Sequence, residues 1–123
     1  MSFDLMIWEG EQPTSDADAC AIMIARSEDI EARLDRGEDP APPTPEIADF
    51  TAALLRRWPD SGDNTPWAVS GAGYADGSSL SVHIRWGDHD EVSTFVAGLA
   101  KAHGLICYDP QQGRLRPALS AGR

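Results

Sequence analysis

Residues 78–108, SSLSVHIRWGDHDEVSTFVAGLAKAHGLICY, constrain the fold more than any other stretch, because three elements follow one another there with marked boundaries. Leu80, Val82, Ile84 and Trp86 alternate with Ser79, Ser81, His83 and Arg85, the period of a strand with one buried face. Gly87 interrupts it, and Asp88 with Glu91 three residues on makes a capping box for a helix. Val92, Phe95, Val96, Leu99 and His103 recur at three and four residues, one helical stripe. Gly104 fits a left-handed helix terminus, and residues 105–108 start another strand.

The rest of the chain is organised around this unit. Phe3, Leu5 and Ile7 alternate with Asp4, Met6 and Trp8, so residues 2–8 read as a first strand. Thr14 or Ser15 caps a helix whose inward stripe is Cys20, Met23, Ile24, Ile30 and Leu34, with a candidate break at residues 27–29. Four prolines stiffen residues 37–45, after which Thr44 caps a second helix with Pro45 in its first turn. Ile47, Phe50, Leu54, Leu55 and Trp58 form its apolar stripe, and Pro59 ends it. Residues 67–74 read as a weaker strand, where Gly71 and Gly73 signal a bulge or a close backbone approach. Residues 75–77 turn the chain into the strand at 79–86.

This order predicts an α+β fold, a ferredoxin-like split βαβ sandwich (β-α-α-β-β-α-β) with a four-stranded sheet and its helices on one face. The first and third strands are expected side by side and parallel. Residues 1–110 form a single domain, as a chain of 123 residues allows, and residues 111–123 a flexible tail that packs through Leu115. The uncovered face of the sheet is expected to carry Asp4, Met6, Trp8, Ser81, His83 and Arg85.

Charge narrows the choice of partner. The net charge is −10, and all of it arises in residues 1–50, where thirteen acids face three arginines. A field of that sign disfavours nucleic acid and anionic membranes and attracts a basic protein. No run of eighteen apolar residues is present, and no basic region precedes an apolar run at the N-terminus, so a cytoplasmic location is expected.

Motifs for chemistry are sparse. Cys20 and Cys107 lack metal spacing and read as two thiols, and the Asp88–Glu91 cluster around His89 reads as a helix start, so neither metal nor cofactor is expected. His83 lies between Ser81 and Arg85 on the uncovered face, with Asp4 of the neighbouring strand as the one candidate to orient it. No serine is seen to pair with a histidine and an acid, and no catalytic residue is assigned. Trp8, on the row opposite Phe3, Leu5 and Ile7, is a candidate interface anchor unless the long insertion covers it.

The segments SFDLMIWEGEQP, TPEIADFTAALLRRWPD, TPW and AKAHGLICYDPQ together resemble a family of small uncharacterised bacterial proteins. In style that family is similar to the immunity proteins of bacterial toxin systems, which bind and block a cognate toxin; the resemblance implies no catalytic residues. The expected function is therefore a non-enzymatic protein-binding module that occludes a basic toxin. Its candidate contact residues are Trp8, Met6, Asp16, Asp18, Glu28, Glu31, Asp35, His83 and Arg85. The alternative is a small-molecule enzyme or sensor, acting as a dimer, on the sheet face around His83, Arg85, Asp4 and Trp8.

Overall fold

Strand β1 (Ser2–Trp8) is the axis of the structure, a computed structural model that describes residues 2–62, 65–87 and 89–117. Phe3, Leu5 and Ile7 are buried on one of its faces, and Met6 and Trp8 meet a second, smaller core on the other. After β1 come α1 (Asp16–Asp35), α2 (Pro45–Arg57), a 3-10 turn (Ser70–Ala72), β2 (Gly73–Asp76), β3 (Ser79–Arg85), α3 (His89–Ala102), β4 (Ile106–Asp109) and β5 (Arg114–Leu115). The fold is α+β, with a sheet of order β2-β3-β1-β4-β5 in which every neighbouring pair is antiparallel.

That sheet corrects the expectation in three respects. It has five strands rather than four. β1 and β3 are adjacent, but they run antiparallel, with Asp4 opposite His83 and Met6 opposite Ser81. Chain direction explains this: the crossover from β1 passes over one strand and returns in the same direction as β2. The β2–β3 hairpin then obliges β3 to oppose both β2 and β1. The third correction is that the helices do not share one face. α2 and α3 cover the Phe3–Leu5–Ile7 side, whereas α1 lies on the other and buries Trp8 with Ala19, Ile106, Tyr108 and Leu115.

Polar anchors set the position of α1. Its helix starts at Ser15, whose hydroxyl accepts the Asp18 N–H, and runs unbroken through residues 27–29. Ala19 is its one buried residue, Cys20 and Met23 are half-buried, and Ile24 and Leu34 of the expected stripe are exposed. Past this short apolar contact, Arg26 donates to the Ser78 and Ser79 hydroxyls and to the Glu9 carbonyl. Two turns further on, Arg33 forms a forked ion pair with Asp76 at 2.8 and 3.3 Å and also reaches Asp29. Asp76 first, then Asp29, hold the Arg33 guanidinium above its ordinary pKa. Burial lowers that of Arg26, with Glu9 opposing the shift.

The larger core follows the sequence more closely. Thr44 caps α2, with Pro45 in the first turn, and Ile47, Phe50 and Leu54 are fully buried. On α3 the buried residues are Val92, Ser93, Val96, Ala97 and Ala100, so the helix is rotated from the expected stripe and Phe95 and Leu99 lie at its margin. Gly104, at φ +72, takes the left-handed turn after α3. The expected cap at Asp88 lies outside the described residues. Trp86 is 46% exposed instead of closing a buried row, and its ring meets Phe3 and His89.

The strand expected at residues 67–74 is mostly irregular. Trp67 forms a lone bridge to Ile84, with its indole N–H donated to the Trp58 carbonyl, and regular pairing begins only at Gly73. The expected tail is corrected over residues 111–117, where β5 pairs with β4 and Leu115 is buried; residues 118–123 lie outside the described residues.

Cys107, in β4, is buried, and that burial pushes its thiol up to about 12, with Arg116 opposing and Asp109 adding to the shift. Between the ordinary thiol value and about 12 the unfolded chain therefore loses a proton that the folded chain keeps, so stability must fall as pH rises through that window. Denaturant titrations at pH 8 and pH 10.5 should show this loss, and Cys107→Ala should lessen it. An equal loss in the variant would assign the alkaline sensitivity to other groups.

Candidate functional site

The second face of the sheet carries a chain of polar side chains. Asp4 and His83 face each other across the β1–β3 ladder, and the Asp4 Oδ1 lies 2.7 Å from His83 Nδ1. His83 Nε2 is 3.1 Å from the Ser81 hydroxyl, two residues earlier on the same face of β3. With Asp4 accepting from Nδ1–H, Nε2 is left as an acceptor for the Ser81 O–H. The expected pairing of His83 with Asp4 is thus present. The expectation that no serine joins a histidine and an acid is overturned.

Asp4 is held from two sides. The Ser2 hydroxyl donates to the same carboxylate oxygen at 2.6 Å. Gln111 clamps the backbone: its Oε1 accepts the Asp4 N–H and its Nε2 donates to the Asp4 carbonyl, each at 2.7 Å. The β1–β4 register explains why a side chain does this. Met6 faces Tyr108, so Asp4 would next face Pro110, which has no N–H to give. The amide of Gln111 takes that place.

Gln111 is itself aimed by Asp109, a fully buried carboxylate that accepts the N–H groups of Gln111 and Gln112 and the Gln111 Nε2–H. The other Asp109 oxygen lies 3.5 Å from the Arg116 guanidinium. The sequence reading placed Gln111 in a loose tail; the signal it missed was Asp-Pro followed by two amides, a turn sequence in which Asp can accept N–H groups two and three residues on.

Beside Ser81 a cleft of about 310 Å3 opens between α1 and the β2 side of the sheet, walled by Met6, Ile30, Leu34 and Tyr74. Tyr74 is 64% exposed and its ring lies 5.4 Å from that of His83. Arg85 is exposed, further along β3, and donates to the Thr65 carbonyl.

The remaining candidate contacts divide. Trp8 is 2% exposed beneath α1, with Arg26 over its ring, so it is a core residue and not a surface anchor. Asp16 accepts the Leu115 N–H and Asp18 the Thr14 N–H, which gives both a structural use. Glu28, Glu31 and Asp35 are exposed on α1, and Met6 is half-buried in the cleft wall. Among the described residues no cluster of three or more His, Cys, Asp or Glu is arranged to hold a metal ion, and no helix is long and apolar enough to cross a membrane. Compared with protein-family models, curated proteins and solved structures, the chain matches none.

Proposed function

We propose that the chain is a protein-binding module that docks a basic partner, with the cognate toxin of a bacterial toxin system as the candidate. One observation carries this reading. All three arginines of the acidic half bond to groups of the chain itself: Arg26 to Ser78, Ser79 and Glu9, Arg33 to Asp76 and Asp29, and Arg36, at the surface, to Glu38. Glu28, Glu31 and Asp35 on α1, with Glu46 and Asp49 on α2, are left exposed. An excess built this way steers a cationic protein and repels phosphate backbones. For the architecture we propose a ferredoxin-like split βαβ core; the crossovers that each pass over one strand support it, with α1 added on the second face.

Exposed charges act on encounter more than on residence, and salt screens them beyond about 8 Å at physiological strength. Reversing Glu28, Glu31 and Asp35 to lysine should therefore slow association at low salt by about tenfold or more, flatten its salt dependence and leave dissociation nearly unchanged. The measurement is stopped-flow or surface-based kinetics against the protein retained from a bacterial lysate. An acidic partner, or an association rate indifferent to the reversal, would overturn the reading.

A further inference from the structure

The Asp4–His83–Ser81 chain has a geometry that charge steering does not require. Its two hydrogen bonds, at 2.7 and 3.1 Å, connect carboxylate, imidazole and hydroxyl in the order used to activate a serine. Such a constellation is recognised by geometry and roles, since it recurs on unrelated folds in different chain orders. Here the sheet register supplies it: Ser81 and His83 share a face by strand alternation, and Asp4 is the cross-strand partner of His83. The Gln111 clamp and the Ser2 hydroxyl fix the carboxylate end.

We propose that Ser81 is an acyl-accepting nucleophile, with His83 as its base and Asp4 as the positioning residue, and that its substrates are activated esters bearing a neutral, apolar acyl chain. In the forward step the Ser81 Oγ–carbon bond forms at the ester carbonyl while the hydroxyl proton passes to His83 Nε2. The carbon–oxygen bond to the leaving alkoxide then breaks, and His83 returns the proton to that oxygen. Water attacks the acyl-serine by the same route, releasing the carboxylic acid and restoring Ser81.

Two features set the substrate class. The cleft of about 310 Å3 adjoins Ser81 and is lined by Met6, Ile30 and Leu34, which suits an apolar acyl chain and lies at the small end of ligand sites. Glu31 at its rim and the net charge of −10 disfavour anionic substrates. The requirement for activation comes from the ladder. β3 is paired on both sides at Ser81, so the N–H groups of Ser81 and Val82 are committed to the ladder and do not meet an oxyanion. Lack of one such donor costs about 10²–10³ in rate, so aryl esters and thioesters are within reach and amides are not.

The test uses the full chain and an alkyl fluorophosphonate, whose phosphorus bonds to an activated serine with loss of fluoride, together with p-nitrophenyl butyrate. Intact mass should show one adduct per chain, peptide mapping should place it on Ser81, and nitrophenolate should appear as a burst of about one equivalent before a slow steady phase. Ser81→Ala should abolish both signals, and His83→Gln should slow labelling by about a hundredfold or more. Asp4→Asn should slow labelling and also change its pH profile, which a purely structural role for Asp4 would leave alone. Ile30→Trp should slow a long-chain probe more than a methyl one. Circular dichroism on each variant separates chemistry from misfolding. If Ser81→Ala fails to fold, the mapped adduct and the His83→Gln rate still decide. No adduct, an adduct elsewhere, or a rate indifferent to His83→Gln overturns the proposal. None of these outcomes bears on the charge-reversal kinetics, so this proposal and the binding function can fail separately.

Discussion

Replacing Asp109 with alanine should lower the melting temperature by roughly 12–20 °C. The carboxylate is fully buried and receives three donors on one oxygen and the Arg116 guanidinium on the other. Removing one member of a buried pair costs about 3–5 kcal/mol, because the remaining charge stays desolvated without a partner. Near the melting point each kcal/mol shifts a domain of this size by about 4 °C, which gives the range above. Asp109→Asn should cost less, since its amide oxygen can keep the three turn donors and only the attraction to Arg116 is lost. Thermal unfolding followed by circular dichroism measures both. A loss under about 4 °C for the alanine variant would mean that water enters and satisfies Arg116, so that the turn does not depend on Asp109.

Gly73→Ala should be the most damaging of the glycine substitutions. A Cβ at Gly73 would overlap the Ser81 carbonyl oxygen and stand 2.8 Å from its carbon and 3.0 Å from the Val82 Cα. These are backbone atoms of a strand paired on both sides and cannot swing away as a side-chain end would. Overpacking usually costs about 1–3 kcal/mol, and a clash with a fixed backbone belongs at or above the top of that range. Gly98 is the control. It lies within α3 with nothing within 4 Å of a Cβ, so Gly98→Ala should stabilise the chain by about 0.5–1 kcal/mol through helix propensity alone. Denaturant unfolding of the two variants gives both signs. A neutral Gly73→Ala would require β2 to leave β3 at no cost, and the cleft beside Ser81 would lose the wall that Tyr74 provides.

Alternation made β1 and β3 legible, and with them the pairing of Asp4 with His83. A strand's faces are written in every second residue, and two central strands fix each other's register. The caps at Ser15 and Thr44 were legible because the side chains that make them are local in sequence. What stayed hidden depends on distant partners. α1 sits on the second face because Arg26 and Arg33 meet residues 43 to 53 positions away, and a search for an apolar stripe passes over arginines. The direction of β3 against β1 follows from crossovers, which leave no mark on the composition of either strand. β5 is two residues long and exists through the Asp109 turn, so no periodicity could announce it. Ser81 was placed on the correct face but was not joined to His83, although residues two apart on a strand are neighbours on one face.

The side-chain amide that replaces a backbone partner at Asp4 also guards against aggregation. β4 pairs with β1 only from Met6 to Trp8, so the first half of β1 has an unladdered flank beyond that point. An uncovered row of N–H and C=O groups on an apolar strand is a template for a strand from another molecule. Gln111 occupies both hydrogen-bonding groups of Asp4 on that flank, and a strand seeking to extend the sheet there would first have to displace it. One amide thus sets the carboxylate that faces His83 and keeps the exposed end of the central strand from recruiting a second copy of itself.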